Sequence, residues 1–110
     1  MRGWDLESSS AYLLDNIKAL LRRRWFRITA SAAASARATL GFDESDILGC
    51  LLCLTDDDFF KTLPPEYPGG PLADVYKARC QGTLCYIKLL CTKTFAGETV
   101  VIISFRHAYA

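Results

Sequence analysis

Alternation between apolar and polar side chains is clearest in the second half of the chain. It runs on both sides of the segment Gln-Gly-Thr and predicts a β-hairpin with its turn at Gly82–Thr83. Counting outward from this turn places Lys77 opposite Lys88, and paired residues share a face of the sheet. One face of the hairpin is then apolar. The other face carries Lys77, Arg79, Tyr86 and Lys88.

The first half of the chain has helical spacing instead of strict alternation. Apolar side chains recur every three or four residues from about Ser9 to Arg24, which predicts an amphipathic helix. An alanine-rich second helix is expected to end at Gly41, and Asp43 is expected to cap a third helix. Thr55 is expected to cap a short fourth helix in the segment LTDDDFFKTL, which carries Lys61.

Strand-forming residues are concentrated after the proline- and glycine-rich segment 64–71, which predicts a loop. The hairpin strands are expected at about 72–80 and 84–92, and the β-branched run 99–106 predicts a central last strand. Trp25–Thr29 is a short β-prone run between the first two helices. Helices followed by strands predict an α+β fold, with N-terminal helices packed on a small antiparallel β-sheet.

Length and composition fit one globular domain, residues 1–110, with a polar start at residues 1–8 that is expected to be disordered. The hydrophobic content of 51% excludes a chain that is disordered throughout. The longest apolar run, Cys50–Leu54, is too short to cross a membrane. Because no export signal opens the sequence, we expect a cytoplasmic protein without a membrane partner.

Charged residues are segregated although the net charge is only +1. Residues 75–110 contain five Lys and Arg against one Glu, a local charge of +4, whereas residues 43–58 contain six acidic residues and no basic one. A second basic cluster is formed by Arg22–Arg24 and Arg27. This distribution predicts a local anion-binding site on a nearly neutral protein.

The five cysteines do not form the pattern of a secreted disulfide framework. With an odd count and no export signal, disulfides are not expected, and the cysteines are interpreted as buried core residues. An alternative is a zinc-stabilised interaction module with four ligands: Cys50, Cys53, Cys80 and Cys85. The apolar helical segment around Cys50 lacks the turn residues of a zinc knuckle and argues against this alternative.

Three segments, LTDDDFFKTL, ADVYKARCQGTLCYIKL and VVIISFR, occur in the order typical of one family. Together they resemble the motility quorum-sensing regulator (MqsR) toxins, which are RelE/YoeB-like mRNA interferases, and the resemblance runs from about Phe26 to Arg106. It implies a RelE-like ribonuclease toxin fold and an endoribonuclease that cuts single-stranded mRNA without a metal or cofactor. It also implies a cognate, DNA-binding antitoxin, with a homodimer or a toxin–antitoxin hetero-oligomer as the assembly.

Position by position, the resemblance implies catalytic roles for Lys61, Tyr86 and Arg106, the last replacing a lysine of the family. The family's Trp-Gln before Asp-Val-Tyr is Leu72-Ala73 here, so one expected polar group is missing. The turn after Lys88 is also about five residues longer than in the family.

Metal-free cleavage of RNA requires a base for the 2′-hydroxyl, stabilisation of the charged phosphorane and an acid for the leaving oxygen. We interpret Tyr86 as the base or proton shuttle, because nearby cations favour the phenolate form of a tyrosine. Arg106 and Arg79 are expected to hold the phosphate. Lys61 and Lys88 are expected to stabilise charge or protonate the leaving group. Three residues are expected to bind substrate: Lys77, Arg79 and Lys88.

Several alternatives remain open at this point. The basic hairpin face is also compatible with a solvated sheet surface without a function. A catalytically weak relative that binds RNA or an antitoxin in a regulatory role is the alternative function, and Ala73 favours it. His107 follows Arg106 and is expected on the opposite face, while Tyr76 is expected in the core.

Overall fold

The computed structural model describes residues 9–110, and the disorder predicted for residues 1–8 lies outside the described residues. The helices of the described chain are α1 (Leu14–Arg22), α2 (Ala30–Leu40) and α3 (Glu44–Leu52), followed by a single 3₁₀ turn (Asp56–Asp58). The strands are β1 (Phe26–Ile28), β2 (Phe59–Leu63), β3 (Ala73–Cys80), β4 (Thr83–Thr94) and β5 (Gly97–His107). No helix within residues 9–110 has the length and apolar character needed to span a bilayer.

The five strands form one sheet in the order β1-β5-β4-β3-β2. The predicted α+β class is confirmed, and the N-terminal helices pack against the sheet. The sheet is mixed rather than antiparallel, because β1 pairs with β5 in parallel while the other neighbours are antiparallel. A parallel neighbour requires a long connection between the two strands. Here that connection contains α2, α3 and three strands. The three residues of β1 carry no sequence signal that predicts whether it pairs with β5 in parallel or antiparallel.

The helices cover one face of the sheet and form the hydrophobic core with it. Ile17, Leu21, Ile47 and Leu51 are buried on the helices, and Tyr76, Ile87, Ile102 and Phe105 are buried on the strands. Side chains cap the start of α2 and of α3, and the cap at Asp43 was predicted. The Thr29 hydroxyl accepts a hydrogen bond from the Ala32 N–H, and Asp43 and Asp46 cap each other's backbone at the start of α3. Gly41 ends α2 with a φ of 72°, a conformation that favours glycine.

Two helix predictions were wrong at their boundaries. The first helix begins at Leu14 rather than near Ser9, because the preceding segment is held in another conformation by hydrogen bonds to Asp74. The predicted fourth helix is only the 3₁₀ turn, in which Asp58 accepts hydrogen bonds from the Thr55 N–H and hydroxyl. The aromatic residues after it extend as β2, so Lys61 lies on a strand and not on a helix.

The hairpin turn is at Gln81–Gly82 rather than at Gly82–Thr83. Gln81 and Gly82 have φ values of 51° and 82°, as a two-residue type I′ turn requires. Cys80 therefore pairs with Thr83, and every partner across β3 and β4 moves by two residues from the predicted one. Because a shift of two preserves the faces, Cys85 is buried and Tyr86 lies on the opposite face, as predicted.

A disulfide joins Cys50 of α3 to Cys80 of β3, against the expectation that the chain has none. The last turn of α3 lies beside the end of β3, and the two Cα atoms are 5.6 Å apart, within the range that a disulfide spans. Cys53 is a free thiol that is exposed, so its interpretation as a core residue was wrong, whereas Cys85 and Cys91 are free and buried. Burial raises the pKa of both buried thiols, that of Cys91 to about 12. These two cysteines are core residues, as predicted.

Asp74 is the buried charged residue of the described chain, and it ties three segments together. Its carboxylate accepts hydrogen bonds from the Ala11 and Tyr12 N–H groups at 2.9 and 3.0 Å, and from the Thr62 hydroxyl of β2 at 2.7 Å. The Tyr12 hydroxyl donates to the Leu72 carbonyl at 2.6 Å. These bonds attach the N-terminal segment and the edge strand β2 to β3.

Replacing Asp74 with alanine removes the acceptor for three donors and should lower the free energy of unfolding by about 2–3 kcal/mol. Urea unfolding followed by circular dichroism measures this change. The matched control is Asp57→Ala, since Asp57 is exposed, and its effect should stay below about 0.5 kcal/mol. Equal stability of the two variants would contradict the role assigned to Asp74.

The disulfide predicts three free thiols before reduction and five after it, counted by thiol titration of the denatured protein. Cys50→Ser should lower the free energy of unfolding by about 3 kcal/mol under oxidising conditions, because the bond closes a loop of 30 residues. Under reducing conditions the variant and the wild type should be equally stable. Cys53→Ser is the control and should change neither value. Five free thiols in the unreduced wild type would show that the bond is absent.

Candidate functional site

The face of the sheet opposite the helices carries the residues predicted to act on a ligand, and we call it the open face. Strand register places Lys77 of β3 opposite Tyr86 of β4, and Tyr86 opposite Arg106 of β5. Neighbouring strands are about 5 Å apart, so these three side chains form one row about 10 Å long. All three are partly exposed to solvent. The row therefore places one cation on each side of a phenol.

Arg106 lies over the ring of Tyr86, with its guanidinium carbon 4.2 Å from the ring centroid. Its Nη1 donates to the carbonyls of His107 and Ala110, at 3.3 and 3.4 Å. The C-terminal turn thus holds one nitrogen of the guanidinium. The other N–H groups have no partner within residues 9–110 and are free to bind an anion.

Lys61 reaches the same row from the edge of the sheet. A bulge in β2 shifts the register so that Phe59 pairs with Tyr76 and Lys61 pairs with Val75, leaving Phe60 between them. The ammonium groups of Lys61 and Lys77 lie 5.3 and 4.0 Å from the centroid of the Phe60 ring. Cation–π attraction therefore holds both lysines beside one half-exposed aromatic ring.

The remaining predicted binding residues have different surroundings. Arg79 is exposed and lies two residues nearer the hairpin turn than Lys77 of the row. Lys88 is opposite Val75 and Ser104 rather than Lys77, so the predicted repulsion between two lysines is absent. Its side chain is only 16% exposed, and its Nζ is 2.9 Å from a carboxylate oxygen of Glu66. The charge of Lys88 is therefore compensated within the protein.

Glu66 comes from the predicted loop 64–71, which lies over part of the open face. Together with the sheet the loop forms a partly open cavity of about 220 Å³. Ala73 is buried at the wall of this cavity. Arg27 of β1 also lines the cavity, because it pairs with Val101 of β5, which is another lining residue.

His107 and Tyr76 both lie on the helix-covered face. His107 pairs with Cys85 across the sheet. Its backbone N–H donates a hydrogen bond to the Thr39 hydroxyl, and its ring Nδ1 accepts one from the backbone N–H of Tyr109. Tyr76 is buried in the core, and this burial raises its pKa to about 12. Tyr76 is thus protonated at neutral pH and separated from the row. Both predictions about the faces of these residues are confirmed.

The cysteines do not form a metal site in the structure. No three His, Cys, Asp or Glu side chains within residues 9–110 are arranged to hold a metal ion. Two of the four ligands of the zinc alternative are bonded to each other, and Cys85 is buried. Cys50, Cys53 and Cys80 instead border a wide hollow of about 670 Å³ between α3 and the end of β3. The zinc-stabilised module is therefore not supported.

The arrangement of the open face suits the binding of a chain of anions beside a phenol. Lys61, Lys77 and Arg106 have no acidic partner within the described residues, whereas Lys88 has one. Sequence reasoning missed Phe60 and Glu66, and it assigned Arg27 to the N-terminal basic cluster rather than to the open face. The double aromatic of the DFF segment was a signal for Phe60, but only the bulge shows which of the two rings reaches the open face. No sequence signal indicated that Glu66 pairs with Lys88 or that Arg27 lines the same cavity.

Comparison with known protein families gives one match. The model of a family described as "Motility quorum-sensing regulator, toxin of MqsA" matches residues 9–107. This span includes every helix and strand described above and extends beyond residues 26–106, over which the sequence resembles the family. A search of curated proteins returns no match.

Proposed function

The chain belongs to the motility quorum-sensing regulator family of toxins, and from this premise we propose that it is an endoribonuclease that cleaves single-stranded mRNA. The family makes it a toxin of a toxin–antitoxin pair. The observation that carries the proposed activity is the row of Lys77, Tyr86 and Arg106, in which a phenol lies between two cations. We further propose that the chain acts in the cytoplasm.

Phosphate binding is assigned to the cations that have no acidic partner in the described chain. The free N–H groups of Arg106 suit two oxygens of one phosphate, and Lys77 supplies a second positive charge across the row. Arg79, which is exposed toward the hairpin turn, suits the next phosphate along the RNA. Lys88 is assigned a smaller part, because its charge is already compensated by Glu66.

In the proposed reaction the 2′-hydroxyl of a ribose attacks the adjacent phosphorus, and the bond to the 5′-oxygen of the next nucleotide breaks. Tyr86 accepts the proton of the 2′-hydroxyl, and Arg106 and Lys77 stabilise the additional negative charge on the phosphorane. Lys61 donates a proton to the leaving 5′-oxygen. The products are a 2′,3′-cyclic phosphate and a 5′-hydroxyl, and no metal is needed for this route.

A cognate antitoxin is the expected protein partner, because the family is described as the toxin of MqsA. We expect the antitoxin to bind DNA and to silence the toxin within a hetero-oligomer. A homodimer of the free toxin is a separate expectation, which gel filtration of the purified chain tests.

A catalytically weak relative with a regulatory binding role is the second candidate function. Ala73 favours it, because this buried side chain offers no polar group where the family has glutamine. The compensation of Lys88 by Glu66 also reduces the positive charge available on the open face.

Incubation of the purified protein with single-stranded RNA and EDTA tests the proposed activity. We expect cleavage with 2′,3′-cyclic phosphate and 5′-hydroxyl ends, identified by mass spectrometry. Binding of the RNA without cleavage at micromolar protein would favour the regulatory alternative instead.

Replacing Tyr86 with phenylalanine removes the proposed base and should lower the cleavage rate about 100-fold or more. Tyr109→Phe is the matched control, because Tyr109 is exposed and lies outside the row. Cleavage by Tyr86→Phe at the wild-type rate would exclude Tyr86 as the base.

Replacing Arg106 with alanine should lower the cleavage rate about 100-fold or more through the loss of charge stabilisation. Arg106→Lys should retain more of the rate, because it keeps the charge. Arg37→Ala on the exposed side of α2 is the control and should leave the rate unchanged. Equal rates for Arg106→Ala and Arg37→Ala would contradict the proposed phosphate contact.

A further inference from the structure

The cavity under the loop 64–71 is a second feature of the open face, separate from the row. It measures about 220 Å³ and lies between the loop and the sheet. Its floor is apolar and is formed by side chains of three adjacent strands: Ala73, Leu90, Val101 and Ile103. Three charged groups reach its margin, Arg27, Glu66 and Lys88, and Tyr67 supplies an aromatic ring. A cavity with an apolar floor and a few convergent polar groups is typical of a small-molecule site.

Tyr67 is exposed, and its ring position is set by the loop itself. The Gly70 N–H donates to the Tyr67 carbonyl at 3.0 Å, which closes the turn between them. A Cβ on residue 70 would come within 2.9 Å of the Tyr67 ring, so only glycine allows the ring to lie this close to the backbone. The loop thus presents one side of an aromatic ring at the cavity rather than burying it in the core.

Glu66 has one carboxylate oxygen fixed and one available. Its Oε1 accepts a hydrogen bond from the largely buried Lys88 ammonium at 2.9 Å. Its Oε2 has no partner among the residues that the structure describes. The ion pair therefore orients the carboxylate and leaves an acceptor for a ligand that can donate a hydrogen bond.

The cavity is continuous with the row along β4. Lys88 at the cavity margin is two residues from Tyr86 on the same face, a separation of about 7 Å. A nucleotide whose phosphate lies at the row can therefore have its own or the neighbouring base at the cavity. The cations beside both sites complement the charge of the RNA backbone.

We propose that this cavity binds one unpaired nucleobase of the RNA, and this inference rests on the proposed function. The base stacks on Tyr67 and donates a hydrogen bond from its exocyclic amino group to Oε2 of Glu66. Adenine, cytosine and guanine have such an amino group. Uracil has carbonyl oxygens on both sides of its one N–H and is disfavoured beside a carboxylate. Glu66 is therefore a specificity-determining residue.

Titration of the protein with the four nucleoside 5′-monophosphates, followed by amide chemical shifts, tests the site without requiring cleavage. At least one amino-bearing nucleotide should shift the amides of Tyr67, Leu90 and Val101 and bind at least tenfold more tightly than UMP. Tyr67→Ala should weaken this binding about tenfold, and Glu66→Gln should bring UMP within threefold of the others. The controls Tyr109→Ala and Glu98→Gln, both at exposed positions, should bind as the wild type does.

The proposal is overturned if no nucleotide shifts those amides at millimolar concentration, or if UMP binds as tightly as the amino-bearing nucleotides. Cleavage of a randomised single-stranded RNA separates this inference from the proposed function. A wild type that cleaves, with a base preference unchanged in Glu66→Gln, would refute the cavity assignment and leave the nuclease intact. Selective nucleotide binding without any cleavage would instead support the cavity and refute the nuclease.

Discussion

The backbone pairing of β4 with β3 on one side and β5 on the other determines which side chains meet. Side chains alternate along a strand, so a slip of one residue would move every apolar group of β4 to the open face and every polar group to the core. The Gln81–Gly82 turn sets the first pairing, and the burial of Cys85 and Ile87 opposes any slip of one residue. This register places Tyr86 between two cations, and the Tyr86 ring contacts one of them, Arg106.

Charge on the open face is divided between compensated and uncompensated groups. Lys88 is largely buried and paired with Glu66, so it contributes to the structure of the loop and the cavity. Lys77 and Arg106 are held instead by aromatic rings, which position a cation without neutralising it. This difference separates a region suited to a phosphate from an adjacent region suited to a base. The carboxylate of Asp74 stabilises the edge on which Lys61 depends, since it binds both β2 and the N-terminal segment.

Much of the fold follows from local signals, and much of the candidate site does not. The faces of the hairpin could be predicted because side chains alternate between faces with a period of two residues. An error of two residues in strand pairing therefore leaves each side chain on its predicted face. The turn itself could not, because Gly82 fits either position and only the positive φ of Gln81 decides between them. Lys61 was predicted on a helix because acidic residues precede it, yet pairing with β3 outweighs that local preference. The bond between Cys50 and Cys80 depends on the packing of α3 beside β3, and neither cysteine has a local signal for it.

We propose that RNA binds the open face along the row. The most direct measurement is chemical-shift mapping with a single-stranded 2′-O-methyl oligonucleotide, which binds but has no 2′-hydroxyl with which to be cleaved. The largest shifts should occur at Lys77, Tyr86 and Arg106, and the helices α1 to α3 should show little change. Shifts concentrated on the helices, or no shifts at millimolar oligonucleotide, would contradict it.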